Sequence, residues 1–294
     1  MNITTPIFDN RLSKSGSTRF IANGANLKCN ALLFDVSFTV PEGYSGGWDF
    51  TKNVFITVAL RLGSGNGSAI NLISGVSLFS LLAYSDYIAG VSMASTAFVA
   101  GKRARISGCI PVGFFSMGSR DSLDIVVNLG DPSSLPAEVQ LTVSNVYEKE
   151  SAVILYTYQS AKPSGADMPY TNILAVYYTG DKTVNKNVII RDQLGTQNTN
   201  IEDAIALSNA VGRFEFFTRF GRLYNEPYDV SQDISINCPP DDDKAELLLV
   251  GYHFDTALLL SCAEETGAGR DNLLALIKKN DEEKYAYLSA RGLA

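Results

Sequence analysis

Two stretches of this chain, far apart in sequence, run through the same order of parts. Residues 122–147 read SLDIVVNLGDPSSLPAEVQLTVSNVY, and residues 231–254 read SQDISINCPPDDDKAELLLVGYHF. Each opens on an Asp-Ile pair, Asp124-Ile125 and Asp233-Ile234. Each breaks at a Pro-rich polar turn and resumes at an Ala-Glu pair, Ala137-Glu138 and Ala245-Glu246, before an apolar strand. The likeness extends upstream. Lys52-Asn53-Val54 opens a strand followed by a Gly/Asn-rich turn and a short helix, and Lys186-Asn187-Val188 opens another, followed by LGTQNTN and a short helix. The second copy is shorter inside, because residues 88–105 have no counterpart. A repeated order of parts is the signature of a duplicated unit. Each quoted stretch reads as the hairpin that closes its unit.

Within each unit the dominant pattern is alternation of apolar and polar residues, which marks strands with one buried face. In FDVSFTV, Phe34, Val36, Phe38 and Val40 share a face. In NVFITVALRL the set is Val54, Ile56, Val58, Leu60 and Leu62, in LDIVVNL it is Leu123, Ile125, Val127 and Leu129, and in VQLTV it is Val139, Leu141 and Val143. In RFEFFTRF, Phe214 and Phe216 flank Glu215. Helical spacing is confined to three segments: Val76–Tyr87, capped by Ser74 or Ser77; Ile201–Ala210; and an amphipathic tail, Asp271–Ala290.

These patterns predict an all-β chain of two tandem eight-stranded jelly rolls, with short helices and a C-terminal amphipathic helix. The expected limits are an N-terminal arm at 1–19, a first roll at 20–158, a Pro/Gly linker at 159–168, a second roll at 169–262 and a helical tail at 263–294.

Composition narrows the function. A formal charge of −7 and a pI near 4.8 speak against nucleic-acid recognition, which needs clustered Lys and Arg. Cys29, Cys109, Cys238 and Cys262 form no C-x-x-C pair, and His253 is the lone histidine, so a zinc site is not expected. The opening MNITTPIFDNRLSKSG has no apolar leader core, so the thiols are expected to be free and reduced. Residues 70–100 carry one charge, Asp86, but Ser, Thr, Asn and Gly interrupt them. They read as a buried helix plus loop rather than a spanning segment.

No catalytic, cofactor-binding or metal-binding residue is expected. His253 lies on a predicted strand near Asp255 without a G-x-S-x-G elbow, and reads as a strand histidine. Asp241, Asp242 and Asp243 could suggest calcium, but three adjacent side chains seldom converge on one ion. The corresponding turn of the first copy has Asp131 and Ser133, so turn chemistry is expected in both. GSGNGS at 63–68 and GAGR at 267–270 lack the Lys-Ser/Thr of a phosphate loop. Trp48 in GYSGGWDF reads as a loop anchor rather than a sugar platform. Asp9, Arg11, Lys14, Arg19 and Lys28 make the N-terminal segment basic, as suits an arm that orders on a partner.

Three stretches carry a resemblance to a known family: KNVFITVALRLGSGNGSAINLISGVSLFSLLAYSDY; ISGCIPVGFFSMGSRDSLDIVVNLGDPSSLPAEVQLTVSNVYEK; and KNVIIRDQLGTQNTNIEDAIALSNA through AELLLVGYHF. Their order resembles the double jelly-roll major capsid proteins of tailless icosahedral viruses, notably bacteriophages with an internal membrane. In plan these are similar to adenovirus hexon. The resemblance covers about residues 20–256. It implies a structural, non-enzymatic shell protein that forms homotrimers of pseudo-hexagonal outline. It further implies contacts with neighbouring capsomers, penton and minor capsid proteins, and with an internal membrane through the N-terminal arm or C-terminal tail. The implied location is the virion, assembled in the host cytoplasm. Residues 88–105 are the expected projecting or interface loop. The alternatives are a minor capsid or spike protein of that lineage, or a β-sandwich carbohydrate-binding or carbohydrate-acting protein.

Overall fold

The structure is a computed structural model. It describes residues 2–12, 16–23, 27–62, 69–89, 93, 96–147, 155–161, 166–178, 189–192, 195–200, 216–217, 234–238, 247–253, 275, 278, 286 and 289.

The first eight strands are β1 (Asn2–Arg11), β2 (Ser17–Asn23), β3 (Lys28–Thr39), β4 (Val54–Arg61), β5 (Ala69–Ser77), β6 (Arg103–Ser116), β7 (Ser122–Leu129) and β8 (Gln140–Tyr147). They pair antiparallel as first with eighth, second with seventh, third with sixth and fourth with fifth. This is an antiparallel ribbon folded at its middle. The ribbon is wound so that β3 also takes β8 and β4 also takes β7. Two sheets result, ordered β1-β8-β3-β6 and β2-β7-β4-β5. That order is an eight-stranded jelly roll.

The alternation legible in the sequence fills the space between the sheets. Phe34, Val36, Phe38, Val54, Ile56, Val58, Leu60, Leu123, Ile125, Val127, Leu141 and Val143 are all at most 1% exposed and belong to one core. Each such side chain withdrawn from water contributes about 1.5–3 kcal/mol before entropy is counted. Helix α1 (Leu78–Ala89) follows β5, and the Ser77 hydroxyl accepts from the Ser80 amide at 3.1 Å, capping its start.

The next eight strands are β9 (Leu155–Ser160), β10 (Asp167–Tyr170), β11 (Ile173–Tyr178), β12 (Ile189–Asp192), β13 (Gly195–Asn200), β14 (Phe216–Phe217), β15 (Ile234–Asn237) and β16 (Leu247–His253). Shifted by eight strands, the pairings repeat: β9 with β16, β10 with β15, β11 with β14, β12 with β13, and also β11 with β16 and β12 with β15. The chain is two jelly rolls of one strand order. They join edge to edge, because β5 of the first pairs in parallel with β9 of the second at Ile73↔Tyr158 and Ser74↔Gln159. The joined sheet runs β14-β11-β16-β9-β5-β4-β7-β2.

Several sequence expectations are corrected. Each quoted repeat is not a hairpin. β7 lies in the joined sheet and β8 in the four-stranded sheet, and β15 and β16 are likewise divided. In the first copy the Pro-rich turn carries the chain from one sheet to the other, since a wound ribbon pairs β7 and β8 with other strands. Within the expected arm at 1–19, residues 2–11 are β1 and Ser17 begins β2, held by backbone ladders to β8 and β7. β9, split between the expected first roll and linker, belongs by pairing to the second roll. Residues 70–77 of the apolar segment belong to β5, and GTQNTN, which precedes the expected second-copy helix, is its counterpart β13. In RFEFFTRF the described residues are Phe216 and Phe217, paired to β11. The helix expected at 201–210 lies outside the described residues. In the tail, Ala275, Lys278, Ala286 and Ser289 are helical and exposed.

Candidate functional site

Of the residues singled out for chemistry, Trp48 and Asp131 are described and hold local structure. Trp48 is buried at 5% exposure, its ring edge-on to Phe38 at 5.5 Å and to Phe98 at 5.4 Å, with Phe50 at 6.0 Å. Its indole Nε1 donates to Thr96 Oγ1 at 3.2 Å. It anchors the loop, as its setting in GYSGGWDF predicts. Phe98, from the stretch expected to project, packs on that anchor, and Met93 packs on the same core. Part of 88–105 therefore folds back onto the roll, driven by aromatic burial.

His253 is the last residue of β16, half-buried and paired opposite Leu155. Asp255 and the run Asp241–Asp243 lie outside the described residues, as do 63–68, 267–270 and Cys262. Among the described residues, no group of three His, Cys, Asp or Glu could hold a metal ion. Cys29 and Cys238 are buried and Cys109 half-buried, and none of the three is in a disulfide. Burial pushes the Cys29 thiol up to about 12. Asp131 does serve turn chemistry. Its Oδ1 accepts from the Ser133 amide at 2.9 Å and hydroxyl at 2.6 Å, and these bonds hold its carboxyl below the usual value.

The charges of the expected arm stitch strands instead. Arg19 on β2 grips Asp124 on β7, which also takes Arg61 of β4 at 3.4 Å. Arg11 meets Glu138 at 3.0 Å. The Asp9 carboxylate accepts from Thr142 Oγ1 at 2.9 Å and from Gln140. On the same sheet, Asp35 pairs with Arg105. Lys28 lies over the Tyr147 ring, 5.8 Å from its centroid. Lys14 is outside the described residues.

What the repeat builds is a surface between rolls. Helix α1 belongs to the first roll, yet its Tyr84 packs on Tyr158 of β9 at 5.6 Å and on Tyr177 of β11 at 4.7 Å. The Tyr158 hydroxyl donates to the Pro111 carbonyl of β6. Burial raises the Tyr158 phenol well above its ordinary value, so it stays a neutral donor. β16 is buried on both faces: Leu247 and Leu249 join the second roll's own core, while Leu248 and Val250 join the first roll's core. This tyrosine cluster is not visible as a motif. The uninterrupted run LLLV was its one available signal, since a strand covered on both faces loses alternation.

The same helix shields a sheet edge. Ser85 Oγ accepts the Cys109 amide of β6 at 2.7 Å. A Cβ at Gly108 would lie 2.8 Å from Leu82 Cδ2 and 3.1 Å from Ser85 Cβ, so glycine lets helix and strand approach without displacing the Leu82 side chain. Among the described residues, β1 is flanked by β8 alone and β13 by β12 alone. No helix of the described residues is long and apolar enough to cross a membrane.

No family model matches the chain, and no curated protein matches it. Solved structures do. The major capsid protein of Sulfolobus turreted icosahedral virus matches over 83% of this chain and 95% of its own, at 12% identity and a TM-score of 0.38. A chain in the atomic structure of that virus matches over 94% and 99%, at 12% identity and a TM-score of 0.42. The major capsid protein of bacteriophage PM2 matches over 83% and 93%, at 10% identity and a TM-score of 0.42. The likeness is one of fold.

Proposed function

We propose that this chain is the major capsid protein of an icosahedral virus, a structural subunit without catalysis, and that three copies form one pseudo-hexagonal capsomer. The observation that carries this reading is internal to the chain: two rolls of one strand order stand side by side, joined through β5 and β9. One chain thus offers two near-equivalent building blocks. Three chains offer six, so a ring of three acquires the neighbour relations of a hexagon, which tile a closed shell.

The partners in this reading are other copies within the capsomer, neighbouring capsomers, and penton and minor capsid proteins. The location is the virion, after assembly in the host cytoplasm. Since residues 2–11 are consumed by β1, the segment left for an underlying membrane or adjoining capsomer is the tail at 263–294. Its described positions are helical and exposed.

Light scattering coupled to size exclusion tests the reading. The expected mass is three times the 31.8 kDa of the chain, persisting below micromolar concentration, with hexagonal outlines in negative stain. A monomer at micromolar concentration overturns it.

A further inference from the structure

The two rolls share one strand order, but their edges differ in what they meet. In the first roll, β5 ends the sheet β2-β7-β4-β5 and is met by β9, the first strand of the second roll. The topological counterpart of β5 is β13, which ends the sheet β10-β15-β12-β13. The counterpart of β9 is β1, which ends the sheet β1-β8-β3-β6. Within the chain, β13 and β1 do not meet. An open edge presents unpaired backbone N–H and C=O groups, and natural proteins blunt such edges with charge, bulges or a covering element. The edge of β6 is covered in this way by α1, through Ser85 and Gly108. β13 reads GTQNTN, without a charge, and no element covers it among the described residues.

We infer that β13 of one copy pairs in parallel with β1 of a second copy, which repeats between chains the β5–β9 junction found within the chain. The inference rests on the trimeric reading and names the edges that make the contact. Each contact would extend β10-β15-β12-β13 into β1-β8-β3-β6 of the next copy. The product is an eight-stranded sheet of the same order as the one inside the chain. The contact is head-to-tail, so it propagates, and it closes when the rotation from roll to roll is one sixth of a turn. Backbone pairing supplies the attraction without side-chain specificity, as in strand addition to an exposed edge. The ladder need only be short. The internal junction has two residue pairs, and Pro6, which lacks an N–H, limits the length available on β1.

Disulfide trapping tests the contact. Thr4→Cys and Thr5→Cys on β1 are combined, each in one chain, with Gln197→Cys or Asn198→Cys on β13. The assembled protein is oxidised and run without reductant, beside the parent and the four single variants. At least one double variant is expected to give covalent dimer and closed trimer bands, while parent and single variants run as monomers. Mixing two complementary single variants should give dimer only. If light scattering shows the trimer but no pair cross-links, the edge pairing is wrong and the capsomer reading stands. If the protein is monomeric, both fall together. Amide exchange supplies a second readout. β1 and β13 should gain protection on going from dissociated to assembled protein, and equal exchange in the two states overturns the pairing.

Discussion

The carboxylate of Asp124 on β7 receives Nε and Nη2 of Arg19 on β2, at 2.9 and 2.6 Å, across 105 residues of sequence. The Asp124 side chain is 6% exposed and that of Arg19 is 55% exposed. A nearly buried carboxylate is thus served by an arginine that remains half in water. The hydrogen bond from Arg19, followed by the charges of Arg19 and Arg61, holds the Asp124 carboxyl below its ordinary value against the opposing effect of burial.

A pH dependence follows from that depression. The unfolded chain takes up the proton at higher pH than the folded one, so the stabilisation is complete above the ordinary aspartate value and is lost as pH falls through the depressed folded value. Asp124→Asn should cost about 1–2 kcal/mol at pH 7, a range kept low because Arg19 is solvated. It should also flatten the decline in stability between pH 5 and 3, roughly the window in which aspartates titrate. Denaturant midpoints at stepped pH check both effects. An unchanged acid slope in the variant would remove Asp124 as its source.

Two glycines should respond unequally to alanine. At Gly251 a Cβ would sit 2.7 Å from the Asn172 carbonyl oxygen, and that backbone is tied to the Tyr252 amide at 3.0 Å. At Gly108 the closest atom is the end of the Leu82 side chain. Backbone yields less than side chain, so Gly251→Ala should cost about 2–3 kcal/mol and Gly108→Ala about 1 kcal/mol. Thermal melts of the two variants give the order, and the reverse order would contradict the packing described at both sites.

Tyr158 ties both rolls together through one hydroxyl and one ring. Tyr158→Phe removes the bond to Pro111 and should cost about 1 kcal/mol. Tyr158→Ala also opens the Tyr84 contact and should cost about 3–5 kcal/mol. Calorimetry should show a single transition splitting in the alanine variant as the rolls lose their shared core. A melt that shifts without splitting would mean that other junction residues suffice for coupling.

Cys29 should be inert in the native state. It is buried, and with a thiol pushed up to about 12 almost no thiolate exists at pH 8. Iodoacetamide followed by mass spectrometry should find Cys29 unmodified until denaturant is added. Prompt native labelling would show that the β3–β6 region opens locally.

Removing residues 264–294 should leave the melting of the rolls within a few degrees of the parent while impairing assembly, as measured by circular dichroism and light scattering. Loss of the cooperative melt would place the tail in a core.

Sequence alone determined the strand alternation, the duplicated order and a helix start capped by Ser74 or Ser77, of which the structure selects Ser77. These follow from local physics: a one-sided strand must alternate, a turn must hold Pro, Gly, Asn or Asp, and a helix start needs a side-chain acceptor. The capsid reading also began there, in the order of KNVFITVAL, SLDIVVNL and their counterparts. Tertiary structure decided the partners. β7 and β8 adjoin in sequence and look like a hairpin, yet a wound ribbon sends them to different sheets. Arg11 and Arg19 look like the charges of a loose arm, yet Glu138 and Asp124 wait for them more than a hundred residues away. Tyr84, Tyr158 and Tyr177 carry no shared motif and become a cluster only where α1 crosses to the second roll. Alternation records which face of a strand is buried. It does not record what the strand is buried against, because that depends on long-range pairing which neighbouring residues do not encode.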